Sequence, residues 1–252
     1  MIERSTREDA VWIRLDRAEK MNALHLEGWR DLHDALERAS EDARVAVITG
    51  TDDVFCAGDD IEVLDAMEGA DDVDALATEL RRVLFGIEEL PIPVIAAVNG
   101  LAYGGGCEIV AASDLAVAVE DATFALPETR IGAYPPYAVE RMAEMVGKKR
   151  SMELALTGEP IDAATALEWG LINRVTPHGG LADAVSGFVD GIVRSPKDSI
   201  RLAKRHALHG KPDRGDEDRI AGALARATAS EGCRSATRAF IEGDGTGSES
   251  GE

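Results

Sequence analysis

The sequence predicts an α/β fold built on a central, mainly parallel sheet. Three observations carry this. Three runs are apolar along their whole length (Val45-Ala46-Val47-Ile48, Val94-Ile95-Ala96-Ala97-Val98 and Leu115-Ala116-Val117-Ala118-Val119), helix-period segments separate them, and helix-period segments alone follow from about Gly191. A strand without polar alternation is buried on both faces, which requires helices above and below the sheet, and such sheets are predominantly parallel. With 252 residues and 45% hydrophobic content, the chain is long enough for one full core and a small appended region.

The elements follow in order. A short hairpin ends in Val11-Trp12-Ile13-Arg14-Leu15, and a helix follows it because Trp29, Leu32, Leu36 and Ala39 recur at intervals of three and four. Residues 45–50 form the first buried strand, an acidic helical stretch comes next, and residues 93–100 and 114–119 form the second and third strands. Beyond Gly191, Ile200, Ala203 and Ala207, then Ile220, Leu224 and Ala227, then Ala236 and Phe240 mark helix faces with no strand to cover. Those faces suit either a fold back onto the chain's own core or docking on a neighbouring subunit. Residues 243–252 contain no apolar side chain and are expected to be a mobile acidic tail.

Charge narrows the function classes. The net charge of −20 opposes attraction to nucleic-acid phosphates and to anionic membrane surfaces. The acidic residues are spread along the chain and the basic ones divide into six Lys and 21 Arg. This fits a salt-adapted surface, because salt screens the mutual repulsion of crowded carboxylates; an ordinary acidic mesophile is the alternative. Cys56, Cys107 and Cys233 are odd in number and widely spaced, matching neither a disulfide framework nor a zinc site. The N-terminus is charged where a secretion signal would be apolar, and no apolar run approaches the roughly 18 residues that span a bilayer. A cytoplasmic protein in a reducing compartment is expected.

Two strands end in glycine-bearing turns that run into helices: Phe55-Cys56-Ala57-Gly58-Asp59-Asp60-Ile61, and Asn99-Gly100-Leu101-Ala102-Tyr103-Gly104-Gly105-Gly106-Cys107-Glu108. Glycines there let a ligand approach main-chain N–H groups at the positive end of a helix, and two such groups converging on one oxygen make an oxyanion hole. Equally, they can permit tight packing of helix on strand. Neither the phosphate-loop nor the dinucleotide-binding spacing is present. Glu108 falls in the first turn of an apolar helix and Glu128 follows a strand-like stretch in Leu126-Pro127-Glu128. Two carboxyl groups in apolar surroundings can divide acid and base roles; as solvated surface residues they would do neither. His206 and His209 stand three apart with no third ligand evident, so they read as surface histidines.

At these residues the chain resembles the enoyl-CoA hydratase/isomerase family, also called the crotonase superfamily. The resemblance lies in residues 17–24, which include Lys20-Met21-Asn22-Ala23-Leu24, in the Phe55 to Ile61 turn, in residues 93–108, in Ala122-Thr123-Phe124-Ala125-Leu126-Pro127-Glu128, and in Leu156-Thr157-Gly158 through Gly170-Leu171-Ile172-Asn173. The blocks stand in family order and together are specific, although each alone is weak. The resemblance implies a crotonase-like spiral of repeated β-β-α turns over residues 1–190, a helical oligomerisation region at 191–242 that builds homotrimers or hexamers, and the tail at 243–252. It also implies an acyl-CoA substrate, no metal, and no cofactor beyond the coenzyme A carried by the substrate. Backbone N–H groups of Asp59 and Gly105 would form the oxyanion hole, Glu108 would deprotonate the water that attacks C3, and Glu128 would protonate C2. The implied reaction is hydration of a 2-enoyl-CoA to a 3-hydroxyacyl-CoA; a double-bond isomerase, or a non-catalytic acyl-CoA-binding subunit, are the alternatives.

By the same resemblance, Lys20, Ala57, Asp59, Asp60, Ile61 and Gly105 are the expected substrate and CoA contacts. Two departures from the family pattern stand out. Residues 133–139 read Ala-Tyr-Pro-Pro-Tyr-Ala-Val where many hydratases carry a proline and then a glycine-rich stretch. Tyr134 and Tyr137 are therefore expected to border the acyl pocket in a stiffer, bulkier turn. A basic residue that often meets the CoA phosphates is here Glu62, so CoA affinity is expected to be modest or salt-dependent.

Overall fold

The computed structural model describes residues 1–67 and 69–207. The first repeat opens with an antiparallel hairpin, β1 (Ile2–Arg7) and β2 (Ala10–Leu15), and α1 (Leu26–Asp42). Three units then repeat a longer strand followed by a three-residue strand. They are β3 (Val45–Gly50) with β4 (Val54–Cys56), α2 (Ile61–Asp65) and α3 (Ala70–Glu89); β5 (Val94–Val98) with β6 (Leu101–Tyr103) and α4 (Gly105–Ala112); and β7 (Leu115–Val119) with β8 (Thr123–Ala125). A single 3-10 helix, Pro127–Ile131, follows β8.

The longer strands form one six-stranded sheet in the order β1-β2-β3-β5-β7-β10, where β10 is Arg174–Thr176; all neighbours after the opening hairpin pair in parallel. The three-residue strands form a second sheet with β9 (Ile161–Asp162), in the order β4-β6-β8-β9. Each unit thus turns a corner from the first sheet to the second. Gly50 and Gly100 sit at these corners, where an added Cβ would lie 1.9 Å from the carbonyl oxygens of Val54 and Asp53 respectively. Two buried-side amides fasten the corners: Asn99 Nδ2 donates to the Asp52 and Val54 carbonyls, and Asn22 Nδ2 to those of Thr51 and Val54. Both free cysteines among the described residues, Cys56 and Cys107, are buried.

Burial explains the apolar runs. One face of the six-stranded sheet meets α1, α3 and α4 through Ile13, Trp29, Leu32, Ile48, Leu84 and Ala96. The other meets α8 (Leu181–Val193), whose Val185 and Val189 pack on Val45, Val47, Ile95 and Val117. Between β8 and α8 lie one π-helical turn (Ala138–Met142), α5 (Ala143–Val146), α6 (Lys148–Thr157) and α7 (Ala163–Trp169). Gly170, in the left-handed conformation that favours glycine, terminates α7.

The last described helix, α9 (Lys197–Ala207), folds back onto the core. Lys204 is its buried residue, Ile200 is half-buried, and Ala203 and Ala207 are exposed. Lys204 Nζ donates to the carbonyls of Ile87 and Ile92 at 2.7 and 2.9 Å and pairs with Asp114 Oδ2 at 2.7 Å. A long cation that reaches three oxygens at the end of α3 and the edges of β5 and β7 anchors this helix to the core. Most of the predicted region 191–242 and the tail 243–252 lie outside the described residues.

Candidate active site

Two turns from successive units meet beside the second sheet. The chain leaves β4 through Gly58 and leaves β6 through Gly104, and both glycines have positive φ, +90° and +53°. A Cβ on Gly58 would stand 2.9 Å from the Gly105 nitrogen, so the turns approach backbone to backbone, a contact that only glycine permits. The amides of Asp59 and Gly105 flank this contact. The bonds tying the first turn in place come from its neighbours, Leu24 N–H to the Gly58 carbonyl and Asp60 N–H to the Leu24 carbonyl. Among the described residues the Asp59 and Gly105 N–H groups have no protein acceptor. Gly105 is also the first residue of α4, where the N–H is unsatisfied by the helix and sits at the positive end of its dipole.

The third glycine of the triplet has a packing role. A Cβ on Gly106 would lie 2.2 Å from the Cys56 carbonyl oxygen, which presses α4 directly against β4. Gly106→Ala is therefore expected to push α4 off the sheet at a cost of about 2–3 kcal/mol, read as a lowered denaturant midpoint with an unchanged m-value. An unchanged midpoint would contradict this packing.

Glu108, in the first turn of α4, is 1% exposed. Its Oε1 accepts the Ala138 N–H at 2.9 Å. That amide is held by its neighbour: the Tyr137 hydroxyl donates to Glu88 Oε1 at 2.7 Å, and its ring meets Phe85 edge-on. Glu128, in the 3-10 helix after β8, places Oε1 3.2 Å from where a Gly104 Cβ would be, and its Oε2 is buried with no hydrogen-bond partner among the described residues. The Asp59 side chain is a third acidic group here, its Oδ1 accepting the Trp29 indole N–H at 2.8 Å.

Burial dominates the electrostatics. It lifts Glu108 to about 8, a rise reinforced by the charges of Glu128 and Asp59 and opposed by the Ala138 N–H. It lifts Glu128 to about 7, with Asp59 adding to the rise, and Asp59 to about 6 against the stabilising Trp29 bond. Three carboxyls that raise one another's proton affinity cannot all be ionised near neutrality, so the cluster carries protons available for transfer.

The remaining predicted contacts distribute as follows. Lys20 Nζ pairs with Glu62 at 2.5 Å. Ala57 donates its N–H to the Met21 carbonyl. The Asp60 side chain caps α2 through the Glu62 N–H and pairs with Arg17 at 2.7 Å, while Ile61 is exposed at the start of α2. Tyr134, exposed, and Tyr137, buried, line one cavity of about 670 Å³ together with Asp59. His206 lies on α9 and His209 outside the described residues. Sequence reasoning missed the Ala138 amide, Glu88 and the indole of Trp29. For Trp29 a signal existed: a buried indole N–H requires an acceptor, so its placement on a core helix face already implied a polar neighbour.

The family model for enoyl-CoA hydratase/isomerase matches residues 6–242. The chain belongs to this family. Family relatives include the Mevalonyl-coenzyme A hydratase sidH of Aspergillus fumigatus, 34% identical over 248 residues, covering 90% of this chain and 87% of the relative. The Probable enoyl-CoA hydratase echA6 of Mycobacterium leprae is 38% identical over 204 residues, covering 79% and 78%. The chain spans about two thirds of the length of the mitochondrial Enoyl-CoA hydratase domain-containing protein 3 from rat, zebrafish and human. Among solved structures, an enoyl-CoA hydratase from Mycobacterium smegmatis superposes with a TM-score of 0.90 at 29% identity, covering 96% of each chain. The fold is thus the α/β crotonase fold of this enoyl-CoA hydratase/isomerase family. Among the described residues no helix is long and apolar enough to cross a membrane.

Proposed function

We propose that the chain hydrates a 2-enoyl-CoA thioester to the 3-hydroxyacyl-CoA. The observation that carries this reading is the pairing of two carboxyl groups, that of the buried Glu108 and that of the half-buried Glu128 with its buried Oε2, with two backbone N–H groups that have no acceptor among the described residues, all around one contact between turns. Conjugate addition places negative charge on the thioester oxygen. Fixed N–H donors at Asp59 and Gly105 stabilise it without solvent reorganisation, each by about 2.7–4 kcal/mol. Between the two pKa values the pair's one proton rests mostly on Glu108, which has the higher one; the reactive form is the minority one with that proton on Glu128, in which Glu108 takes a proton from water as the water oxygen bonds to C3 and Glu128 delivers a proton to C2. The cycle ends with the proton on Glu108, and its return to Glu128 resets the pair.

Retention of both carboxyls favours hydration over isomerisation, since shifting a double bond needs one proton shuttle. The names of the hydratase relatives agree with it. The test is loss of the conjugated-thioester absorbance on adding enzyme to crotonyl-CoA and to a panel of enoyl-CoAs, in low and high salt. Water addition with 3-hydroxyacyl-CoA as product supports the reading; an absorbance unchanged across the whole panel overturns it.

A further inference from the structure

We propose that the Asp59 side chain selects the acyl group, favouring one that carries a hydroxyl over a plain hydrocarbon chain. This rests on the acyl-thioester reading above and deepens it. The backbone N–H of Asp59 is the donor proposed for the thioester oxygen, and the residue also lines the 670 Å³ cavity. The carboxyl is fixed in place: Oδ1 holds the indole N–H of Trp29, a residue with no exposed surface whose ring packs where a Gly105 Cβ would be, 2.8 Å away. Oδ2 has no donor among the described residues.

The walls around it are otherwise hydrocarbon, including Leu76, Leu80, Leu84, Phe85, Ala133 and Pro136. Of the cavity's other polar groups, Arg81, Tyr134 and Glu140 are exposed at the rim, and the Tyr137 hydroxyl is already given to Glu88. Asp59 is therefore the group that an entering acyl chain desolvates. A saturated hydrocarbon would strip water from Oδ2 and return no hydrogen bond, an unfavourable exchange that sites built around a buried polar group use to reject analogues. A hydroxyl restores the lost bond. An acyl carboxylate would instead meet the negative charge of Asp59, of the ionised member of the Glu108–Glu128 pair and of Glu140, and be repelled. With its pKa near 6, Asp59 is mostly ionised at pH 7.5, where it acts as an acceptor only.

Isothermal titration at pH 7.5 with saturated thioesters, which cannot be hydrated, separates this inference from the catalytic one. The probes are butanoyl-CoA against 4-hydroxybutanoyl-CoA, pentanoyl-CoA against 5-hydroxypentanoyl-CoA, and succinyl-CoA. The wild type should bind the hydroxylated member of at least one pair about tenfold more tightly than its partner, with succinyl-CoA weakest. Asp59→Ala should reduce that preference to within about twofold. Wild-type binding of both pairs without preference overturns the inference alone, whether or not the variant folds, and so does a preference that survives in Asp59→Ala. Failure of every thioester to bind overturns the acyl-thioester reading together with it.

Discussion

Glu108→Gln is expected to lower kcat for enoyl-CoA hydration by roughly 10²- to 10⁴-fold, and Glu128→Gln by a similar factor, because each substitution removes one proton transfer from a single addition step. The double variant should lose far less than the product of the two, since groups that act in one step are not additive. In the wild type, kcat/KM should follow a bell in pH. With Glu128 lifted to about 7 and Glu108 to about 8, the pair holds two protons well below pH 7 and lacks a base, and holds none well above pH 8 and lacks an acid. The maximum therefore falls between about 7 and 8, the two limbs belonging to the coupled pair. A kcat in either Gln variant within a few-fold of wild type would refute the shared roles.

The same burial that raises these values acts against stability. A carboxyl with an ordinary value of 4.5 in the unfolded chain and about 8 in the folded one binds more protons when folded throughout that interval. Folding stability therefore falls as pH rises from about 4.5 through 8. Glutamine cannot ionise and its Oε1 can still accept the Ala138 N–H, so Glu108→Gln should melt above the wild type at pH 8 and close to it at pH 5. A gap in Tm that shrinks on raising the pH would contradict the buried placement of Glu108.

Lys204→Met is expected to destabilise the protein by about 3–5 kcal/mol, the usual consequence of removing one member of a buried ion pair. The lysine is 5% exposed and its partner Asp114 25%. Its removal leaves the Asp114 carboxylate with backbone N–H donors alone, those of Val94 and of Asp114 itself, and takes the donor from the Ile87 and Ile92 carbonyls. Burial already pushes Asp114 up and Lys204 down in pKa, so their attraction offsets the desolvation of each only in part. Adding Asp114→Asn to Lys204→Met should therefore recover much of the loss. Urea midpoints of the four proteins in this cycle measure the coupling; additive losses would show that Lys204 acts through packing alone.

The parts of the fold that were legible share one property. Val45–Gly50, Val94–Val98 and Leu115–Val119 are covered on both faces, so burial wrote itself into the residues as unbroken apolar runs. The strands at 54–56, 101–103 and 123–125 are too short to display any period, and their sheet arises from the corners that Asn22 and Asn99 hold. On α9 the contact with the core is made by a single charged side chain with three oxygens in reach, which apolar spacing does not display.

The candidate site divides in the same way. The glycine triplet, the Gly58 turn and the two glutamates are local signals and could be read in line. The β-β-α repeat, by contrast, comes from the family resemblance alone, since the short second strands have no period to read. Which of those signals come together is decided by distant partners. Asp59 meets Trp29 across 30 residues and Glu108 meets the Ala138 amide across another 30. Whether a carboxyl is a solvated surface group or a proton donor depends on how much water the surrounding fold removes from it. That is a property of the packed volume around the residue, and no single stretch of chain contains it.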